Sequence, residues 1–172
     1  MVIFQPITLH GAGDFMAKET ILILDTDKNI TWTLKNLLEK EDYPVVIADT
    51  VESALKNFSE FQVAGIITEY WIENVLTLEA IRKLKKTVPE TYVMMITNQE
   101  TGEDEYEEII QAGVDDYFLK PMPIKKILLH LQKGLRYRGL LVEKNKLERE
   151  KISHPSQEGE MNVPKIEKTV RI

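Results

Sequence analysis

Five short apolar runs, each followed by an amphipathic segment, constrain the fold of this 172-residue chain more than any other feature. The runs are rich in Val, Ile and Leu and too short for typical helices, so they indicate strands that are buried on both faces. They cover Thr20–Asp25, Pro44–Ala48, Val63–Thr68, Thr91–Thr97 and Asp116–Leu119. This strict β/α alternation predicts an α/β protein with a doubly wound, five-stranded parallel sheet and helices on both of its faces.

Capping signals mark the helices between these runs. Asp27 is the predicted N-cap of the first helix, and Asp49 with Glu52 forms a predicted capping box for the second. Thr77 is the predicted cap of the third helix. Gly113 is predicted to end the fourth, because glycine adopts the left-handed conformation that commonly follows a helix.

The last helix is predicted to be unusually long. Good helix formers continue from Pro123 to about residue 151, well beyond the length of the other helices. Apolar residues spaced seven apart indicate a homodimeric coiled coil. They form two series, one of Leu128, Leu135 and Val142 and one of Leu140 and Leu147. Docking of this helix on a partner protein and a solitary amphipathic helix are the alternatives.

Composition shifts along the chain predict four parts. These are an irregular N-terminal arm over 1–18, with Met1 and Met16 as candidate starts, a main domain over 19–137, a helical extension over 138–151 and a disordered tail over 152–172. The tail contains two prolines and a glycine and has no apolar period, which is why it is predicted to lack a packed core.

The overall composition excludes several classes of function. The net charge of −6 argues against nucleic acid or an anionic membrane as the partner. The chain contains no cysteine, so it has neither a disulfide framework nor a thiolate metal site. It shows no signal peptide and no apolar run of the roughly 18 residues needed to span a bilayer. We therefore expect a cytoplasmic protein. Its three histidines, His10, His130 and His154, share no metal-binding spacing, and each is expected to lie in solvent.

Polar side chains follow several of the predicted strands. Asp25 ends the first strand with Asp27 just beyond it, Glu69 follows the third, Thr97 ends the fourth and Lys120 follows the fifth. The carboxyl ends of parallel strands lie at one edge of a sheet, so these side chains can converge on one crevice. Carboxylates can bind a hard cation such as Mg²⁺, and a central carboxylate can attack phosphorus. A threonine and a lysine can then hold phosphoryl oxygens.

Four segments around these residues resemble the receiver domain of bacterial response regulators, the CheY-like family. They read LILDTD, GIITEYWI, VMMIT and AGVDDYFLKPM, and they occur in the family's order over about Thr20 to Leu135. The resemblance implies a flavodoxin-like sheet with strand order 2-1-3-4-5. It also implies that a partner histidine kinase phosphorylates a central aspartate in the presence of Mg²⁺. A threonine and an aromatic residue would then reshape the face formed by helix 4, strand 5 and helix 5, where a protein partner binds.

Two of the three acidic positions of the family differ in this chain. Asp25 matches the first acid of the metal pair, but Thr26 stands where the second is expected. Glu69 stands where the phosphoacceptor aspartate is expected. Asp27 could replace the missing acid only after a rearrangement of its loop. We therefore expect no cofactor, and Mg²⁺ only if the site still accepts a phosphoryl group.

The other positions of the family's site are retained. Thr97 matches the switch hydroxyl, Tyr117 the switch aromatic and Lys120 the phosphate-pairing lysine. Asn98 stands where a smaller residue is common, and it is expected to crowd the approach to the site. Residues 70–76 after the third strand are predicted to form a loop.

These departures predict an atypical, or pseudo-, receiver. Glutamate is one methylene longer than aspartate, which moves its carboxylate by roughly 1.5 Å into the space of a phosphoryl group. We expect a metal-free pair between Glu69 and Lys120, in a module that binds proteins without being phosphorylated and is not an enzyme. The alternative is a true phosphoacceptor with a weak metal site. A nucleotide or flavin binder is a remote third reading, because no glycine-rich phosphate loop follows the first strand.

Overall fold

The structure is a computed structural model that describes residues 19–153. The predicted arm over 1–18, with both candidate start methionines, lies outside the described residues. His10 lies outside them as well. The same holds for residues 154–172 of the predicted tail, which include His154. The elements are β1 (Thr20–Leu24), α1 (Lys28–Lys40), β2 (Val45–Ala48), α2 (Val51–Glu60), β3 (Val63–Thr68), β4 (Trp71–Ile72), β5 (Val75–Leu76), α3 (Leu78–Thr87), β6 (Tyr92–Thr97), α4 (Glu103–Ala112), β7 (Asp116–Leu119) and α5 (Ile124–Ser153).

The main sheet has five parallel strands in the order β2-β1-β3-β6-β7. This confirms the predicted order 2-1-3-4-5, because the short strands β4 and β5 form a separate hairpin. Every residue of β3 and β6 is buried. Strands with helices on both sides need apolar residues in both directions, which explains their unbroken apolar runs.

Two apolar clusters hold the helices against the sheet. On one face, α2, α3 and α4 contribute residues such as Ala54, Leu78 and Ile109. On the other, α1 and α5 contribute residues such as Leu38 and Leu131. The doubly wound α/β class is therefore confirmed, and the carboxyl ends of β1, β3, β6 and β7 lie at one edge.

The helix α5 is continuous from Ile124 to Ser153, two residues past the predicted end of the extension. Gly134 allows it to lie close to the sheet, since a Cβ there would overlap the ring of Tyr92. Further along, Asn145 donates a hydrogen bond of 2.5 Å to Glu90 Oε1. The division between the main domain and the extension at residue 137 stays a prediction.

Two of the predicted helix caps are confirmed. Asp27 caps α1, because its carboxylate accepts hydrogen bonds from the backbone N–H groups of Asn29 and Ile30 at 2.8 and 3.4 Å. Gly113 ends α4 with a φ of 100°, in the left-handed region that other residues adopt at a cost.

The predicted capping box of α2 was wrong by one residue. The cap is Thr50, whose hydroxyl accepts from Ser53 N at 3.1 Å while Ser53 Oγ accepts from Thr50 N at 3.2 Å. The helix begins at Val51, so the reciprocal pair falls on residues 50 and 53. Asp49 instead forms an exposed ion pair with Lys28 at 3.2 Å.

The predictions for residues 70–77 also need correction. The predicted loop contains the β4–β5 hairpin, which turns through Glu73 at a φ of 54°. Thr77 makes no side-chain cap to α3. Its fully buried hydroxyl needs a partner, and it donates to the carbonyls of Glu69 and Tyr70 at 3.0 and 3.1 Å instead.

Candidate functional site

An ion triad occupies the edge of the sheet where β1, β3 and β7 end. Asp25 follows β1, Glu69 follows β3 and Lys120 follows β7. The Lys120 ammonium lies 2.9 Å from Asp25 Oδ2 and 2.6 Å from Glu69 Oε2. The structure thus brings together three residues that are 44 or more positions apart in the sequence.

The triad is largely shielded from solvent. The side chains of Asp25, Glu69 and Lys120 are 8%, 14% and 13% exposed. Burial by itself lowers the pKa of the Lys120 ammonium and is the largest single influence on it. The hydrogen bonds and negative charges of Glu69 and Asp25 outweigh burial together, so the pKa of Lys120 is raised above its ordinary value. Lys120 is therefore charged at neutral pH.

Backbone hydrogen bonds orient both carboxylates. Asp25 Oδ1 accepts from the N–H of Asp27 at 2.8 Å, and Glu69 Oε1 accepts from the N–H of Tyr70 at 2.8 Å. Each carboxylate therefore uses one oxygen on the backbone and the other on Lys120. The carbonyl of Glu69 in turn accepts from the Thr68 hydroxyl at 2.9 Å. Hydrogen bonds to the carboxylate and to the carbonyl of Glu69 therefore hold this residue in place.

The two predicted switch residues, Thr97 and Tyr117, form hydrogen bonds with the backbone of Gln99 rather than with Glu69. The buried Thr97 hydroxyl accepts from Gln99 N at 3.0 Å. The Tyr117 hydroxyl donates to the Gln99 carbonyl, and its ring lies edge-on to Tyr106 at 5.9 Å. The triad connects to this group through the backbone, because Lys120 N donates to Thr97 O at 2.8 Å. Gln99 was missed, although a threonine at a strand end commonly accepts from the N–H two residues later.

The residues around the triad do not match the donor set of a Mg²⁺ site. Thr26 is exposed and carries no charge, and the Asp27 carboxylate is engaged at the start of α1. One oxygen of Asp25 and one of Glu69 are each bound to the Lys120 ammonium. Over residues 19–153, no group of three or more acidic, histidine or cysteine side chains lies close enough to hold a metal ion. The expectation that the chain needs no cofactor stays a prediction.

The aromatics after Glu69 have different environments. Tyr70 is buried, and Trp71 is 45% exposed with its ring edge-on to Tyr70 at 5.7 Å. Asn98 is exposed, and it lines a cavity of about 490 Å³ beside Lys120, between α1 and the start of α5.

Sequence reasoning missed a second polar cluster on the α5 side of the sheet. The Tyr92 hydroxyl donates to Asp116 Oδ2 at 2.5 Å, and His130 Nδ1 lies 3.5 Å from the same oxygen. His130 was predicted to be solvated, but its side chain is only 26% exposed. These residues come from β6, β7 and α5 and have no shared sequence spacing, so only the fold could reveal their contact.

Comparison with known proteins defines the family. The model of the response regulator receiver domain matches residues 21–132, and the chain belongs to this family. Receiver domains are generally signalling modules of two-component systems rather than enzymes, and they interact with histidine kinases and other proteins.

Curated relatives share the receiver part of the chain. An uncharacterized transcriptional regulatory protein of Bacillus subtilis, YkoG, is 28% identical over 128 residues, which cover 74% of this chain and 56% of that protein. The heme response regulator HssR of Staphylococcus saprophyticus is 26% identical over 117 residues, covering 68% and 51%. Histidine kinase P4 of Formosa agariphila is 28% identical over 129 residues, covering 74% and 9%. The chain spans about half the length of the two regulators.

Solved structures support the fold. A CheY-like receiver domain protein from Methanospirillum hungatei superposes with a TM-score of 0.67 at 24% identity, covering 71% of this chain and 97% of that one. The receiver domain of an HD domain-containing protein from Pseudomonas fluorescens gives a TM-score of 0.70 at 19% identity, covering 78% and 98%. Among the helices within 19–153, none is long and apolar enough to cross a membrane.

Proposed function

We propose that this receiver works as a protein-interaction module without phosphorylation of its central carboxylate. The contact between Glu69 Oε2 and Lys120 Nζ at 2.6 Å carries the proposal. Glutamate extends further than aspartate by about 1.5 Å, one C–C bond. Its carboxylate therefore takes the place beside Lys120 where a phosphoryl group on a shorter side chain would lie.

The electrostatics of the site support the same conclusion. Phosphoryl transfer relies on close positioning and on a metal ion that neutralises the developing charge. Thr26 supplies no charge for a metal, and Asp27 is engaged as a helix cap. With Lys120 bound by two carboxylates, the ammonium is already neutralised before any phosphate arrives. We infer that the site is held in one arrangement.

The partner is proposed to be a protein, bound on the face of α4, β7 and α5 or on the extension of α5. A histidine kinase is one such partner for this family. A cytoplasmic location is part of the proposal, because a chain without cysteine fits a reducing compartment. Dimerisation through α5, also predicted from the sequence, stays a prediction.

Phosphate uptake and Mg²⁺ binding test the proposal. We expect intact-mass measurement after incubation with acetyl phosphate and Mg²⁺ to show no phosphate on the wild type. In a Trp32→Phe background, Mg²⁺ should leave the fluorescence of Trp71 unchanged. A Thr26→Asp/Glu69→Asp variant should gain a saturable response to Mg²⁺, because it restores two acids beside Asp25.

A conservative change elsewhere provides the control. Glu73→Asp alters an exposed glutamate in the same loop, and it should leave both measurements as in the wild type. Addition of one phosphate to the wild type, lost in Glu69→Gln, would overturn the proposal in favour of a phosphoaccepting receiver.

A further inference from the structure

One side of α5 is open to solvent along most of the helix. Its apolar members are Leu129, Tyr137, Leu140 and Leu147, which are 64%, 63%, 59% and 51% exposed. With 3.6 residues per turn, separations of seven and eleven residues place the three leucines on one line along the helix. These side chains do not take part in the core of the domain.

Basic residues alternate with the leucines on this side. They are Lys126, Lys133, Arg136, Lys144 and Lys151, each of which is three or four residues from one of the three leucines. We call the four apolar and five basic residues the outward face. It extends over about 38 Å at 1.5 Å per residue. Two exposed carboxylates, those of Glu143 and Glu150, also stand three or four residues from the leucines, so the charged groups on this side, five basic and two acidic, sum to +3. The ion pair of Lys144 with Glu148, at 3.7 Å, is exposed and weak.

Contacts on the opposite side fix the rotation of the helix. Leu131 and Leu135 are buried in the core. Beyond them, Arg138 pairs with Glu19, and Asn145 bonds to Glu90. The extension is thus anchored to the domain. The outward face points away from the domain except at Lys126, whose ammonium lies 5.4 Å from the centre of the Phe118 ring. Leu135, a member of the first predicted heptad series, is buried by packing within the chain.

The charge of the outward face contrasts with that of the remaining chain. The helix α5 has nine Lys or Arg residues and three Glu residues, a net charge of +6, whereas the whole chain has −6. The other residues therefore sum to −12. An extended polyanion such as DNA or an anionic membrane would be repelled by this body while it is attracted to α5. In a membrane, moreover, lysines on the same line as the leucines would have to enter the apolar layer.

Pairing of two copies of this face is also unfavourable. A homodimer would bring five basic side chains from each helix together, with two carboxylates from each helix, those of Glu143 and Glu150, against them. Coiled coils tolerate single polar residues at their contact positions, at a cost in stability. Here basic residues occupy about half of the positions.

We propose that the outward face of α5 binds an acidic amphipathic helix of a partner protein. Apolar side chains of that helix would pack between Leu129, Leu140 and Leu147, and its carboxylates would pair with the basic residues. Alternating apolar and charged contacts of this kind are typical of helix-in-groove and coiled-coil recognition. This inference rests on the proposed function, since it names the surface and the partner chemistry of the same interaction module.

A synthetic acidic peptide tests the inference on the full 172-residue chain. The probe is a fluorescently labelled helix of about 25 residues, long enough to cover the face, with leucines at steps of three and four and glutamates beside them. We expect saturable one-to-one binding by anisotropy, and about tenfold weaker binding of a scrambled peptide. Raising NaCl from about 0.1 to 1 M should weaken binding by about tenfold or more, because the Debye length shortens from about 10 to 3 Å.

Variants separate the face from general charge. Lys133→Glu/Arg136→Glu/Lys144→Glu should weaken binding by about tenfold or more, by charge reversal. The apolar variant, Leu129→Gln/Leu140→Gln/Leu147→Gln, should do the same, since its changes remove the packing contacts. The matched control, Lys83→Glu/Lys86→Glu, reverses two exposed lysines on α3 and should bind within about twofold of the wild type. Circular dichroism verifies that each variant is folded.

Four results would overturn the inference. They are equal binding of the scrambled peptide, equal weakening by the α3 control, tighter binding to phosphatidylglycerol vesicles or a DNA duplex than to the peptide, and a dimer by light scattering that the leucine variant abolishes. The phosphate assay is independent of all four. Phosphate uptake with intact peptide binding would refute only the proposed function, and loss of peptide specificity without phosphate uptake would refute only this inference.

Discussion

A single ammonium, that of Lys120, pairs with two carboxylates that the fold brings to the same edge of the sheet. In Asp25 and in Glu69, one carboxylate oxygen accepts a hydrogen bond from the backbone and the other accepts one from this lysine. Two shielded like charges without a counter-ion would repel each other. At this scale, the site resembles a structural ion pair more than a reactive centre.

Replacement of Lys120 tests this view. Lys120→Met should destabilise the fold by about 3 kcal/mol at pH 7, because breaking a shielded pair leaves uncompensated charge. Urea denaturation measures this effect.

Two further variants check the interpretation of the Lys120 result. Lys28→Met removes an exposed pair with Asp49 and should cost less than about 1 kcal/mol. Adding Glu69→Gln to Lys120→Met should restore stability relative to Lys120→Met alone. A double variant that is less stable than the single one would contradict the ion-triad account.

At the scale of elements, α5 has two sides with different tasks. Its inner side packs on the sheet, where Gly134 lies against the ring of Tyr92. The hydroxyl of that ring is held by Asp116, so the ring cannot easily move away. Gly139, one and a half turns later, has open space around the position of a Cβ. The same substitution at these two glycines should therefore act in opposite directions.

We expect Gly134→Ala to destabilise the protein by about 2 kcal/mol through overpacking against Tyr92. Gly139→Ala should stabilise it by up to about 1 kcal/mol, because alanine is the better helix former. Thermal and urea denaturation of the two variants provide the comparison. Equal effects of the two substitutions would show that α5 does not pack on the sheet through Gly134.

At the scale of the whole molecule, stability should fall at alkaline pH. Burial, followed by the hydrogen bond and charge of Asp116, raises the pKa of Tyr92 above its ordinary value. The unfolded chain loses this proton near pH 10, whereas the folded protein keeps it. The folded state then binds more protons, so the contribution of Tyr92 is complete below about pH 10 and is lost as the pH rises further.

Tyr92→Phe isolates this contribution. The variant has no proton to lose at this position, so its free energy of unfolding should decline less than that of the wild type between pH 8 and 11. Lys120, Tyr43 and Tyr70 also have raised pKa values, but the two proteins share them, and the difference reports on Tyr92. Parallel declines in urea titrations at the two pH values would contradict the assignment.

The fold was largely predictable, because short apolar runs and helical periods are local features. The bounds of β3 and β7 matched the predicted segments, and Asp27 and Gly113 were placed as caps. The failures also have local causes. At Thr50 the helix begins one residue later than the spacing of acids indicated, and at Thr77 burial gave the hydroxyl other partners.

The site was predictable only in part. The sequence by itself determined that Asp25, Glu69, Thr97 and Lys120 lie at one edge, since parallel strands end there in common. The pair of Glu69 with Lys120 was also predicted, but only the tertiary structure showed that Lys120 contacts Asp25 as well. Pairing distances of this kind depend on side chains from three strands, and sequence spacing does not encode them.

The two sides of α5 show the same division. The sequence determined that a long amphipathic helix follows the last strand, because helical period and propensity are local. It could not tell which heptad series faces the core. The fold decided this by packing Leu135 and Gly134 against the sheet, which left Leu140 and Leu147 in solvent beside basic residues. The burial of one face against a distant element is a property of the folded chain alone.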